Sequence, residues 1–206
     1  MFQKVQKMKN DLKPWNTYVV EDLTKSMNYK YKTGTSKHLT GKIKAKDGSS
    51  LIAFDRVERG LKTTGYMFAS STDFDIFYDI RGLKYSVTYN NEVLGDILES
   101  GVIVDSSGAQ IGHSLHPPKI AVNLPGFRSR SGDPTFPFEM NGRLLATINV
   151  APNHGDKAAA QAALKSNENK YGQQTLQLHD TPTEQEEKWL RSLAILETAI
   201  HGHWLI

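Results

Sequence analysis

From Leu39 onward the chain alternates apolar and polar residues in short runs separated by turn residues, the pattern of strands with one buried face. Leu39 to Lys46 (LTGKIKAK) alternates, Asp47-Gly48 supplies a strong two-residue turn signal, and Ser49 to Phe54 (SSLIAF) returns, so a hairpin is expected. Gly65 to Ala69, Phe74 to Ile80, Leu83 to Tyr89, Val93 to Leu98, Val102 to Asp105 and Ala109 to His113 continue the series, with turns at Arg81-Gly82, Asn90-Asn91 and Ser106-Ser107-Gly108. Lys119 to Leu124 is another apolar run, and Pro125 to Pro137 reads as a loop because it holds three prolines and two glycines. Phe138 to Met140 and Arg143 to Val150 flank Asn141-Gly142, a second hairpin signal, and Gln173 to His179 resumes the alternation. Before Leu39, Trp15 to Val20 reads as extended and Met27 to Lys32 as a half-exposed strand.

Three stretches break that period. Thr181 to Ile206 is helical: Trp189, Leu190, Leu193, Ala194, Leu196 and Ile200 recur at i, i+3, i+4, while Ile195 and Ala199 carry the apolar surface round the back, as in a helix enclosed on several sides. Thr181 with Glu184 forms an expected capping box, Pro182 suits the first helical position and Gly202 a stop. Glu197 interrupts the apolar half and requires a partner or a solvated end. Asp156 to Asn167, rich in alanine, is a candidate helix or a mobile excursion, and Met1 to Leu12 has Phe2, Val5, Met8 and Leu12 at helical spacing among lysines. Many short strands followed by one mostly apolar helix call for a sheet that curls and buries the helix.

Composition sharpens the picture in two places. Absence of cysteine excludes disulfides, thiolate metal sites and a cysteine nucleophile. The net charge of +3 hides an asymmetry: Met1 to Lys46 carries 11 lysines and 3 acidic residues, a balance of +8, and the remainder a balance of −5. A basic front end suits contact with phosphate, on an anionic membrane surface or on nucleic acid. No signal peptide or transmembrane run is present, so a cytoplasmic or peripheral-membrane location is expected.

The segments IKAKDGSSLIAF, FDIFYDIRGLKYSV, GVIVDSSGAQIGHS and LAILETAI, in that order, resemble the tubby C-terminal-like superfamily, which includes scramblase-like and LURP-one-related proteins. The resemblance spans roughly Trp15 to Ile206. It implies a mainly β fold, a closed antiparallel barrel of about twelve strands around a central C-terminal hydrophobic helix, as one domain over residues 15–206 behind a basic segment at 1–14. It also implies binding of phosphoinositide headgroups through exposed basic residues. Scramblase activity is not expected, because no cysteine cluster for lipid anchoring and no spanning helix occur.

The residues themselves nominate Lys42, Lys44 and Lys46, which leave one face of a strand as a basic row with about 7 Å between neighbours. Arg128 and Arg130, in a Gly/Ser/Pro loop, suit two guanidinium groups on one phosphate. His113 and His116 with Asp105 or His179 form the nearest approach to a metal or enzyme site, but Pro117-Pro118 and Gly112 favour a turn over the helix that i, i+3 spacing needs. Asp73, Asp75 and Asp79 read as strand-edge carboxylates rather than an acid–base pair. No phosphate loop, nucleophile elbow or H-E-x-x-H motif occurs. The expectation is a binding module without cofactor or metal, taking an anionic lipid headgroup or a protein partner. A scaffold without lipid binding, an enzyme with its site at a barrel mouth, and a nucleic-acid binder are the alternatives; the oligomeric state is open.

Overall fold

Where the alternation is regular, the strands form as written. The computed structural model describes residues 9–14, 22–31, 37–45, 47–59, 64–82, 84–98, 101–114, 135–150 and 171–200. Its strands are β1 (Asp22–Tyr31), β2 (Lys37–Lys44), β3 (Ser50–Arg59), β4 (Thr64–Ser70), β5 (Asp75–Arg81), β6 (Lys84–Tyr89), β7 (Glu92–Ile97), β8 (Val102–Asp105), β9 (Gln110–Ser114), β10 (Thr135–Met140), β11 (Arg143–Val150) and β12 (Tyr171–Leu178). A helix, α1 (Glu184–Ile200), follows them. Each strand pairs antiparallel with its neighbours in sequence, and β1 pairs with β12 as well as β2. The β1–β12 ladder matches Asp22 with Thr175, Leu23 with Gln174 and Lys25 with Tyr171, with a register shift within it.

Turn chemistry fixes the register. Asn90 and Asn91 have φ of 47° and 68°, and Asn141 and Gly142 have 52° and 74°, the paired positive angles that match a two-residue turn to the strand twist. Because strands alternate in direction, the turns at 47–48, 71–74, 90–91, 106–108 and 141–142 fall at one end of the sheet, where α1 also begins after β12.

One face of the sheet and the middle of α1 make the core. Ile76, Tyr78 and Ile80 on β5 and Tyr85, Val87 and Tyr89 on β6 are buried in strict alternation. Trp189, Leu190, Leu193, Ala194, Ile195, Leu196 and Ala199 are each at most 1% exposed. Glu184 and Gln185 are exposed and Glu187, Lys188 and Arg191 half-buried, whereas five consecutive residues, 192–196, are buried and leave that part of the helix no wet stripe. Each fully buried Leu or Ile is worth about 1.5–3 kcal/mol against exposure. The Tyr78 hydroxyl donates to the Ser192 carbonyl at 2.7 Å, tying the middle of the sheet to the middle of the helix. Its burial pushes the phenol far above its ordinary pKa. Tyr78→Phe removes one buried hydrogen bond, so a loss of about 1 kcal/mol in urea denaturation is expected.

Three sequence expectations are corrected. The capping box is not Thr181 with Glu184: α1 starts at Glu184, and Thr183 and Glu186 exchange the reciprocal bonds, the Thr183 N–H donating to Glu186 Oε2 at 2.8 Å and the Glu186 N–H to Thr183 Oγ1 at 3.4 Å. Both pairs satisfy the same motif, and only Glu186 is also reached from β10–β11. The loop at Pro125 to Pro137 ends earlier, since Thr135, Phe136 and Pro137 belong to β10. Pro137 precedes the stretch shared with β9, which begins at Phe138, so a residue without an N–H is tolerated there. In place of an α-helix ending at Leu12, residues Lys9–Asp11 form a single 3-10 turn. The elements expected at Trp15 to Val20, Lys119 to Leu124 and Asp156 to Asn167, and the stop at Gly202, lie outside the described residues, as does the side chain of Glu197.

Candidate anion-binding surface

Alternation on β2 separates its side chains cleanly. Gly41, Ile43 and Ala45 are buried, and Lys42 and Lys44 lie between them on the outward face, both half-buried. Ile43 faces Ile52 across the ladder, and a bulge before Lys44 leaves Leu51 as an extra residue on β3 that joins the core. The two ammonium groups therefore do leave by one face, but the row is less open than an isolated strand suggests. Lys42 is 22% exposed and its Nζ lies 3.4 Å from Asp11 Oδ2. Lys46, Arg128 and Arg130 lie outside the described residues.

What covers the row is the chain's own front end. The Lys13 N–H donates to the Ser50 carbonyl at 2.8 Å, and Leu12 packs on Ala53 and Phe68 on the outward face of β3 and β4. Lys9 pairs with Asp75 at 2.8 Å, and Asp75 also accepts a short bond from Ser70. Four residues before Lys42 on β2, His38 Nε2 meets the buried Asp55 carboxylate at 2.6 Å. Asp55 is the cross-strand partner of Thr40, so its carboxylate sits within the β2–β3 face rather than in a cleft.

The other candidates do not converge. Asp105 accepts the Ser107 N–H, the Ser107 hydroxyl and the Ala109 N–H, at 2.8, 2.6 and 3.0 Å, shaping the β8–β9 turn. Those bonds, the Ser107 hydroxyl foremost, hold its carboxyl below the usual range. His179 bonds to Thr147 on β11, and His113 lies on β9 opposite Glu139. His116 is outside the described residues, among which no group of three or more His, Asp or Glu is placed to hold a metal. Asp75 and Asp79 are occupied by Lys9 and Arg81 respectively, the second at 2.9 Å.

A polar cluster that the sequence did not indicate joins the start of α1 to the turns around it. Arg143 Nη2 on β11 donates to both Glu186 carboxylate oxygens, at 2.8 and 3.0 Å, and its Nη1 to Asp180, while the Asn141 amide donates to Glu186 at 3.0 Å. Burial works against the Glu186 charge, but the Thr183 N–H, Asn141 and Arg143 outweigh it and bring the carboxyl down to about 2. Next to it, Lys188 pairs with Glu92 at 2.8 Å, and Arg191 bonds Glu187 and the Tyr89 hydroxyl while lying over the Phe74 ring at 5.1 Å. Apart from the i, i+4 pair of Glu187 with Arg191, the hydrogen-bonded pairs join residues 37 to 102 apart in sequence, out of reach of any local spacing rule; that pair and the Thr183-x-x-Glu186 motif were the legible signals. The cluster is a clamp, because every carboxylate in it is answered by a cation or a donor.

Among the described residues no helix is long and apolar enough to cross a membrane. No family model, curated protein or solved structure matches the chain.

Proposed function

We propose that this chain is a non-enzymatic binding module that docks on anionic phospholipid headgroups through the outward face of β2, and that its sheet closes as a tubby-like barrel around α1. The pairing of β1 with β12 and the burial of residues 192–196 of α1 all round support the barrel reading. The observation that carries the binding reading is the succession Lys42, Ile43, Lys44, Ala45: the apolar residues anchor the strand in the core and the two ammonium groups leave together on the outward face. Lys46, Arg128 and Arg130 complete the basic set on sequence grounds. Such a surface acts by charge and proximity alone and needs no cofactor.

Co-sedimentation with neutral and phosphatidylserine-containing vesicles, at low and physiological salt, tests the reading. A lysine near an anionic bilayer is worth about 1 kcal/mol, so Lys42→Ala with Lys44→Ala is expected to weaken binding about tenfold or more, and the further loss of Lys46, Arg128 and Arg130 to abolish it. No binding to anionic vesicles even at low salt overturns the lipid reading and leaves a protein partner as the occupant of this face.

A further inference from the structure

We infer that residues 9–13 form an autoinhibitory strap, in which the Asp11 carboxylate occupies Lys42 in place of a lipid phosphate until an anionic surface displaces it. The inference rests on the lipid reading of β2 above and specifies how that surface is regulated. Four contacts, two of them ion pairs, hold the strap. The Lys13 N–H donates to the Ser50 carbonyl, Leu12 is buried to 8% exposure against Ala53 and Phe68, Lys9 pairs with Asp75 and Asp11 with Lys42. They place Asp11 beside the first of the two outward lysines, with its side chain 75% exposed and Lys42 only 22% exposed.

The geometry suits a competitor better than a structural pair. At 3.4 Å, with the carboxylate mostly in water, the Asp11–Lys42 contact belongs to the surface ion pairs that contribute little to stability and weaken with salt. The seating of the strap comes from Leu12 and the Lys13 N–H instead. Asp11 is therefore held at Lys42 by contacts it does not make itself, as a tethered ligand is. A phosphate arriving at Lys42 replaces one carboxylate by another anion, with no change in the charge at that ammonium. Once released, the strap also frees Lys9 from Asp75 for the same surface, so displacement adds a cation to the contact.

Asp11→Asn keeps shape and hydrogen bonding but removes the competing charge. It is expected to tighten binding to phosphatidylserine vesicles by about two- to five-fold, the range an exposed ion pair can supply. Asp73→Asn, an exposed carboxylate at the same end of the sheet with no lysine beside it among the described residues, controls for the unit change in net charge. Hydrogen exchange gives a second readout: vesicles are expected to strip protection from the Lys13 amide in the wild type. Unchanged affinity in Asp11→Asn, an equal gain in Asp73→Asn, or a Lys13 amide that stays protected on vesicles overturns the strap while leaving the lipid reading intact. That reading fails separately if wild type and Asp11→Asn both ignore anionic vesicles, and the strap as a regulator of lipid contact falls with it.

Discussion

Gly95→Ala is expected to cost about 4 kcal/mol or more, enough to lower the melting temperature by roughly 10 °C, while Gly108→Ala costs about 1 kcal/mol. Both glycines have positive φ, +138° and +88°, so the backbone alone does not separate them. The neighbours do. A Cβ on Gly95 would lie 2.1 Å from the Val104 carbonyl oxygen and 2.6 and 2.8 Å from backbone atoms of Asp105, none of which can turn aside. Around Gly108 there is nothing within 4 Å. Relief at Gly95 requires β7 and β8 to separate, and the ladder there carries three matched pairs, Gly95 with Asp105, Asp96 with Val104 and Ile97 with Ile103. Thermal and urea denaturation of the two variants decide the matter. Equal, small losses in both would mean that β7 and β8 are not in the close approach described here.

Glu186→Gln is expected to cost about 2–3 kcal/mol at neutral pH and to remove part of the acid sensitivity of the wild type. The Glu186 carboxyl is depressed from an ordinary 4.5 to about 2 because its charge is answered by the Thr183 N–H, Asn141 and Arg143 despite burial. A depressed folded-state pKa means that the stabilisation is fully present above about 4.5 and disappears as the pH falls through about 2. Wild type should therefore lose stability across that window, and the variant, starting lower, should change less. The amide keeps one acceptor for the Thr183 N–H, but gives Arg143 no charge to meet. Denaturant midpoints measured from pH 7 down to pH 2 test this directly. Parallel acid limbs for the two proteins would show that the clamp at the start of α1 contributes nothing across the window.

The Glu186 effect arises where distant segments meet and the Gly95 effect where two adjacent strands close on each other, and there sequence reading fell short. Alternation named the strands from Leu39 to Tyr89 to within a few residues, because each side chain's face follows from a period of two, whatever lies beyond the sheet. Asn90-Asn91 and Asn141-Gly142 were legible for the same local reason: their positive φ is a demand of the turn itself. The capping box was legible as a motif but ambiguous in position. Two overlapping Thr-x-x-Glu pairs satisfy the local rule, and the choice of Thr183 with Glu186 goes with Arg143 and Asn141, more than forty residues earlier in the chain. The basic row followed the same division. That Lys42 and Lys44 share a face was readable from spacing, whereas their partial burial depended on where residues 9–13 come to lie.

By itself, then, the sequence determined the strand periods, the hairpin turns, the enclosed character of the last helix and the side of β2 on which its lysines emerge, since each is set by residues within a few positions of one another. Only the tertiary structure decided which carboxylate answers which cation, which glycine sits under a neighbouring carbonyl, and that the basic front end carries Asp11 to Lys42. The pairings of Glu186 and Asp11 depend on segments that the chain joins by long connections, and the Gly95 contact on how closely β7 and β8 approach; no local rule of period, cap or turn fixes either.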